Sequence, residues 1–481
     1  MAARRIGRML ATFLVLSSSI DAEIPKRNWY VAAVFEHIHR SMVGPFNVSA
    51  VLDNLEAFSQ AADVAAQHDV DILVFPEMAI LPPSQSRQQI FPLLEEVPDP
   101  EKVEWNPCVE GDEKENVITR NLSCSARRNN MYVVGNLGRK EKCEGDSGCP
   151  YDGYYHFNTN VVFDREGTLI ARYDKHHLYL EDAYNVPPHP KLIAFTTEFG
   201  TFGTFTCFDI IYYEAVEFVR DFNLTGIIYP VWWFDERPFL SSIQMQESWA
   251  IRHNITLLAS NVHFPFSGSM GSGIYLGEKG ASTYTHVDDN KARLLIARVG
   301  SSSSQPLQIV THSEEEPLKY RFYEFDLKNS SLIKLEEPSG QVETCLGGLC
   351  CKLTYQTSTP LEGYYLAAVN EIRSGGRKRY FWCEESCILI RCNDKNNKNC
   401  STFPILTETV FHSFHLEGNF SSQYVYPNVL VSYSELLPVD EWKFDIKGQT
   451  NIVQSKGSID RPILSVSLYG RCYHRDPPYA P

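Results

Sequence analysis

The sequence predicts an α/β domain followed by a smaller, mainly β domain stapled by disulfides. Three observations predict it. In the first 300 residues, short apolar runs alternate with stretches of helical spacing. Beyond residue 300 the alternation gives way to short β-rich runs separated by turns. Eight of the thirteen cysteines lie past residue 340.

The elements follow in chain order. Trp29 to Phe35 reads as a strand. Val51, Leu55, Phe58, Ala62 and Ala65 recur at helical spacing and mark an amphipathic helix. Asp71 to Phe75 is a short apolar strand that ends in Pro76-Glu77. Further strands are expected at Met131–Gly135, Asn160–Phe163, Leu169–Tyr173 and Gly203–Cys207. Tyr212, Ala215, Val216, Val219 and Phe222 carry helical spacing. Ile227–Tyr229 and Leu257–Ser260 flank a helix near Leu240–His253. Gly300-Ser-Ser-Ser-Ser304 reads as a linker. The expected division is therefore 1–22, 23–300 and 301–481. The strands of the last part include Tyr320–Phe325, Tyr364–Ala368, Val429–Tyr433 and Ile463–Tyr469.

Residues 1–22 read as a signal peptide. Arg4, Arg5 and Arg8 precede the apolar run Met9–Ile20, which is too short for a membrane span, and Ala22 suits cleavage. The polar C-terminus Arg475-Asp-Pro-Pro-Tyr-Ala-Pro481 lacks a hydrophobic tail, so no membrane anchor is expected. Sequons begin at Asn47, Asn121, Asn223, Asn254, Asn329, Asn399 and Asn419, which agrees with a secreted glycoprotein carrying glycans on surface loops. The net charge of −15, with no basic stripe, argues against nucleic acid as a partner.

Thirteen cysteines leave one over in an oxidising compartment. Twelve lie in polar or clustered surroundings. Cys143 and Cys149 enclose a short loop and are expected to pair, and Cys108 can pair with Cys124. Cys207 ends the run Thr204-Phe-Thr-Cys and lies more than 50 residues from any other cysteine. Position alone favours a buried structural thiol. Its surroundings point elsewhere.

Glu77, Lys175 and Cys207 each fall at or just after a strand end, where open α/β sheets bind ligands. Their chemistry is complementary. A thiol needs a base to become a good nucleophile, and Glu77 can take its proton and pass it to a leaving amine. Lys175 can stabilise a tetrahedral oxyanion and favours the thiolate. Taken singly, Glu77 reads equally as a helix-start carboxylate and Lys175 as a surface charge.

Order and context carry more. Val74-Phe-Pro-Glu77, Arg172-Tyr-Asp-Lys175-His-His-Leu-Tyr179 and Phe205-Thr-Cys207-Phe-Asp209 resemble the Glu, Lys and Cys motifs of the nitrilase superfamily, in that order. Trp105-Asn-Pro-Cys108, Phe157-Asn-Thr-Asn-Val-Val-Phe163, Gly271-Ser-Gly-Ile274, Leu349-Cys-Cys351 and Leu468-Tyr-Gly-Arg471 extend the resemblance to the secreted branch of biotinidases and vanins. The resemblance implies a four-layer αββα sandwich followed by a β-rich base domain. It implies that Glu77 is general base, that Lys175 stabilises the oxyanion, and that Cys207 forms a thioester without metal or cofactor. It implies a linear amide substrate of vitamin origin, a biotinyl amide such as biocytin or pantetheine. Glu181 matches an auxiliary carboxylate, and Trp233 matches a family tryptophan of the substrate pocket.

Departures from the pattern bear on specificity. Met78-Ala-Ile-Leu-Pro-Pro83 replaces the usual loop after Glu77 and is expected to line the pocket. Cys383 and Cys472 have no family counterpart, which suggests an extra disulfide between them. Two other classes compete. One is a non-catalytic secreted binding protein that keeps the fold. The other is a papain-like protease using a histidine, but Cys207 lacks the Cys-Gly-Ser/Ala-Cys-Trp/Tyr setting of that class.

Overall fold

The computed structural model describes residues 28–39, 48–81, 86–111, 114–143, 145, 148–300, 305–313, 322–357, 361–393, 400 and 402–480. The expected signal segment, the sequon asparagines Asn47 and Asn399 and the serine run at 301–304 lie outside the described residues.

The first half runs β1 (Tyr30–Glu36), α1 (Val48–Ala66), β2 (Ile72–Val74), α2 (Arg87–Ile90), α3 (Pro107–Glu110), α4 (Val117–Asn129), β3 (Tyr132–Lys142), β4 (Tyr154–Phe163), β5 (Leu169–Asp174), β6 (Ile193–Thr197) and β7 (Gly200–Thr204). It continues with α5 (Tyr213–Asp221), β8 (Gly226–Val231), β9 (Glu236–Arg237), α6 (Ser242–His253), β10 (Thr256–Asn261), β11 (Ser272–Leu276), β12 (Ala281–Thr285), β13 (Lys291–Val299) and β14 (Leu307–Ser313). One sheet has the order β14-β13-β1-β2-β3-β4-β5, the other β12-β11-β10-β8-β7-β6. Each has a parallel centre, β1-β2-β3 in one and β7-β8-β10 in the other, with antiparallel flanks.

The two sheets face each other through Val34, Val74, Val134, Ile228, Leu258 and Leu295. Burial on both faces explains why these strands read as continuous apolar runs. Helix α1 buries Val51, Leu55, Phe58, Ala62 and Ala65, the stripe legible in the sequence, and with α4 covers the outer face of the first sheet. Helices α5 and α6 cover the second. The layers are αββα.

The second half runs β15 (Tyr323–Glu324), β16 (Ser331–Lys334), β17 (Ser339–Leu346), β18 (Leu349–Thr357), β19 (Tyr364–Gly375), β20 (Tyr380–Arg391), β21 (Phe411–Asn419), β22 (Val425–Val431), β23 (Glu435–Leu436), β24 (Trp442–Lys447), β25 (Thr450–Ser455) and β26 (Ile463–Arg471). Its sheets, β16-β19-β20-β26-β22-β23 and β17-β18-β21-β25-β24, pack over Leu353, Leu366, Leu389, Phe414, Val453 and Val466. The first of them turns its other face to α5 and α6, so Tyr380, Trp382, Tyr426 and Tyr469 share one core with Phe205, Cys207 and Trp249. That is why every residue of α6 from Ser242 to Ile251 is buried, with no solvent face left.

One expectation is corrected. The boundary at residue 300 falls inside a sheet, because β14 pairs antiparallel with β13 and belongs to the first sandwich. The serine-rich segment therefore joins two strands of one hairpin. Of the strand expected over Tyr320–Phe325, residues 320 and 321 lie outside the described residues; Tyr323 and Glu324 form β15, whose parallel pairing with β9 ties the halves together.

Six disulfides form: Cys108–Cys124, Cys143–Cys149, Cys345–Cys350, Cys351–Cys387, Cys383–Cys472 and Cys392–Cys400. Cys207 alone is free, and it is buried. Asn223, Asn254, Asn329 and Asn419 are exposed. Asn121 is half-buried on α4, where its Oδ1 accepts a hydrogen bond from Ser59 Oγ at 3.2 Å. Among the described residues, no helix is long and apolar enough to cross a membrane.

Candidate active site

Glu77 sits three residues after β2, Lys175 directly follows β5, and Cys207 lies three residues beyond β7. Each is less than a tenth exposed: 2% for Glu77, 2% for Lys175 and 7% for Cys207. The structure brings them together. Lys175 Nζ donates to Glu77 Oε1 at 2.7 Å and to Glu181 Oε2 at 2.8 Å. The backbone of Trp232 touches Glu77 and Cys207. Its N–H donates to Glu77 Oε2 at 2.9 Å, and its carbonyl accepts from Cys207 Sγ at 3.5 Å. The backbone of one residue thus spans carboxylate and thiol.

The backbone at the site is strained in a consistent way. Met78 after Glu77, Leu180 before Glu181 and Cys207 itself have φ of 50°, 58° and 46°, in the left-handed region that non-glycine residues avoid. A side chain from elsewhere holds each one. Met78 N–H donates to Asn136 Oδ1 (2.8 Å), Leu180 N–H to Tyr380 Oη (2.9 Å), and Tyr229 Oη to the Cys207 carbonyl (2.7 Å). Asp209 closes the turn that starts at Cys207, accepting from Thr206 N–H, from Tyr173 Oη and from His177 Nδ1 and N–H. Burial opposes its charge, but the hydrogen bond and charge of His177 hold its carboxyl below the usual range.

Asn158 is a residue that sequence reasoning missed. Its Nδ2 donates to Glu77 Oε1 (2.7 Å) and Glu181 Oε1 (2.5 Å), and its Oδ1 accepts from Asn136 (2.6 Å). Asn136 also donates to Asn160, which in turn holds Thr204 beside the Cys207 turn. The signal was present as two asparagines spaced two apart in a strand, on one face of the sheet.

The electrostatics refine the expected roles. Burial pushes the Glu77 carboxyl above its usual range; Lys175 pulls it back and Glu181 pushes it further up. Burial disfavours the Lys175 charge, yet Glu181 and Glu77 hold its ammonium well above the usual value. Burial, then the Glu77 charge, push the Cys207 thiol well above its ordinary value; Lys175 opposes this without prevailing. The resting residue is therefore a thiol beside a carboxylate. That arrangement can transfer a proton as sulfur attacks, and it keeps an ammonium beside the pair.

Other candidates resolve unequally. Glu181 joins the cluster directly. Trp233 is 9% exposed and buried in the core that contains Cys207, its indole N–H on the Leu240 carbonyl and its backbone N–H on Asn261. Its neighbour Trp232 is the more exposed and stacks near His39. Met78 to Leu81 are buried in the core beneath α1, behind Glu77; residues 82–85 lie outside the described residues. Beyond the cluster, Glu181, Asp182, Tyr184, Asn185, Arg379 and Tyr380 line a cavity of about 230 Å³.

The sequence profile of the carbon-nitrogen hydrolase family matches residues 31–227, and that of the vanin C-terminal domain matches residues 320–476. The chain is 34% identical to a pantetheinase of Homo sapiens, with 93% of this chain and 90% of that protein covered. It is 34% identical to a biotinidase of Homo sapiens, with coverage of 95% and 91%. Among solved structures, an amidase from Nesterenkonia sp. matches at a TM-score of 0.42 and 18% identity, over 57% of this chain and 91% of that one. Two family profiles and relatives aligned over nine-tenths of their length leave one assignment: the chain belongs to the carbon-nitrogen hydrolase (nitrilase) superfamily, in the branch of the pantetheinases and biotinidases.

Proposed function

We propose that the protein is a secreted thiol amidohydrolase acting on a linear amide of a vitamin-derived small molecule, a biotinyl amide or pantetheine. Glu77, Lys175 and Cys207 are its catalytic residues, with Glu181 auxiliary to them. The observation that carries the reading is the Trp232 backbone, its N–H bonded to Glu77 and its carbonyl to Cys207, with Lys175 on the remaining Glu77 oxygen.

Glu77 takes the Cys207 proton as sulfur bonds to the amide carbon. The carbonyl electrons move onto oxygen, and the oxyanion rests on the Lys175 ammonium. Collapse breaks the C–N bond, and Glu77 returns the proton to the departing amine. A water, deprotonated by Glu77, attacks the thioester; the acid leaves and Cys207 recovers its proton. The relatives' activity, six disulfides and the sequons support a secreted hydrolase.

The test is a parallel assay on pantetheine and biotinyl-4-aminobenzoate, with Cys207→Ala as blank and intact-mass detection of the acyl-enzyme. Hydrolysis of either amide with an adduct on Cys207 is the expected result. Failure on both, with Cys207 labelling no faster than free cysteine, would overturn it in favour of a binding protein.

A further inference from the structure

The cavity beyond Glu181 has two walls from distant parts of the chain. One is the segment after Lys175, with Glu181, Asp182 and Asn185. The other is the tip of the β19–β20 hairpin, with Arg379 and Tyr380. The hairpin is clamped in place. Tyr380 Oη accepts from Leu180 N–H, Gly376 N–H donates to Tyr179 Oη, and the Tyr179 and Tyr380 rings stack at 5.3 Å. The tip reads Gly375-Gly-Arg-Lys-Arg379, three consecutive cations on a chain of net charge −15. Arg377, Lys378 and Arg379 are all exposed. Arg379 pairs with the exposed carboxylate of Asp182; among the described residues, neither Arg377 nor Lys378 has an ion-pair partner.

A fold does not need this arrangement. A tight turn requires residues that tolerate positive φ, and glycine or asparagine serve it best, yet Arg377 and Lys378 occupy φ of 58° and 68°. Glu181, the acid nearest the catalytic cluster, is already matched by Lys175 and Asn158. Arg379 lines a polar cavity that shares Glu181 with the catalytic cluster, and Arg377 and Lys378 precede it on the same exposed hairpin tip, three cations beside the one exposed carboxylate of Asp182. Such a cluster of cations concentrates anions, and a guanidinium offers them paired donors.

We propose that Arg379, supported by Arg377 and Lys378, is a specificity-determining residue, and that the substrate is an amide bearing an anionic group, carboxylate or phosphate, several bonds from the scissile carbonyl. This rests on the amidohydrolase reading above. The anion takes the place of Asp182 on the Arg379 guanidinium, which leaves Asp182 in solvent.

Matched pairs test it. Pantetheine against 4′-phosphopantetheine places the charge on the acyl side; biotinyl-4-aminobenzamide against biotinyl-4-aminobenzoate places it on the amine side. The expected result is a kcat/KM ratio favouring the anionic member of at least one pair by about tenfold, weakening as salt is raised. Arg379→Gln and the triple variant Arg377→Gln/Lys378→Gln/Arg379→Gln should bring that ratio to within about twofold of unity, and Arg379→Lys should retain part of it. A wild-type ratio near one for both pairs, or a ratio that survives the triple variant, overturns the proposal. Calorimetric binding of the same four compounds to Cys207→Ala protein keeps the two readings apart. A charge preference in binding without turnover sinks the amidohydrolase reading alone; turnover without a charge preference sinks this one alone.

Discussion

Replacing Glu181 tests the electrostatics of the site most directly. Its carboxylate and that of Glu77 share Lys175 Nζ, which is 2.8 Å from one and 2.7 Å from the other. The bonded oxygens are thus no more than about 5.5 Å apart, and two unit charges at that distance repel by about 3 kcal/mol at an effective dielectric of about 20. That equals about two pH units, and relaxation and water entry reduce it to one or two. The sign follows from the neighbour: the Glu181 charge raises the Glu77 carboxyl, so removing it lowers that carboxyl. In the proposed mechanism Glu77 must be unprotonated, so activity falls as pH drops through its pKa, which burial holds above the ordinary carboxylate value. Glu181→Gln and Glu181→Ala should therefore move the acid limb of the kcat/KM profile downward by about one to two pH units. The alanine variant is needed because an amide at 181 can present its N–H₂ to the Asn158 Nδ2 donor. An acid limb that stays put or moves upward in both variants would refute the reasoning.

Two further predictions concern stability. Glu247 is fully buried on α6, accepts from Ala281 N–H and Asn428 Nδ2, and its carboxyl is pushed by burial to about 8. The fold thus favours the protonated form, so stability is fully present below the unfolded-state value and declines as pH rises towards 8. Glu247→Gln removes that loss and can offer a donor to the buried, unpartnered Asn428 Oδ1, so urea unfolding at pH 7.5 should show a gain of about 2–3 kcal/mol that vanishes near pH 4; a loss at pH 7.5 counts against it. The Cys383–Cys472 bridge closes a loop of 89 residues and should contribute about 3–5 kcal/mol, read as a lower urea midpoint in the double serine variant. That variant should also lose activity, because Arg471 bonds the Cys383 carbonyl and reaches Ile211 in the Cys207 turn.

The α/β character of the first domain was legible in the sequence because strands buried on both faces and a one-sided helix leave strong periodic signals; the four-layer sandwich came from the resemblance. Val34, Val74 and Ile228 lie in the inter-sheet core, as their apolar runs require, and α1 buries the five residues its spacing picks out. Glu77, Lys175 and Cys207 were legible through their order and their places after strands. Asn158 left a trace in its spacing from Asn160, but that pattern does not name its partners, and Tyr229, a single polar residue inside an apolar strand, left none. Tyr380 was hidden for another reason. It meets Leu180 across 200 residues of chain, a contact that no local pattern encodes. The serine run near 300 misled because a hairpin connection and a domain linker have the same composition.

The contact between Tyr380 and Leu180, joined by Tyr479 donating to the Leu178 carbonyl, has a consequence in time. The loop that carries Glu181 gains its far support only after the ribosome has made the last strands and the oxidising machinery has closed Cys383 onto Cys472. Until then Cys207, the proposed nucleophile, is open to exchange with whichever of the other twelve cysteines are still unpaired. Completion of the chain withdraws it beneath the shared core and finishes the site in the same act. Maturation and activation are then expected to coincide, and the appearance of amidase activity would serve as a clock for oxidative folding.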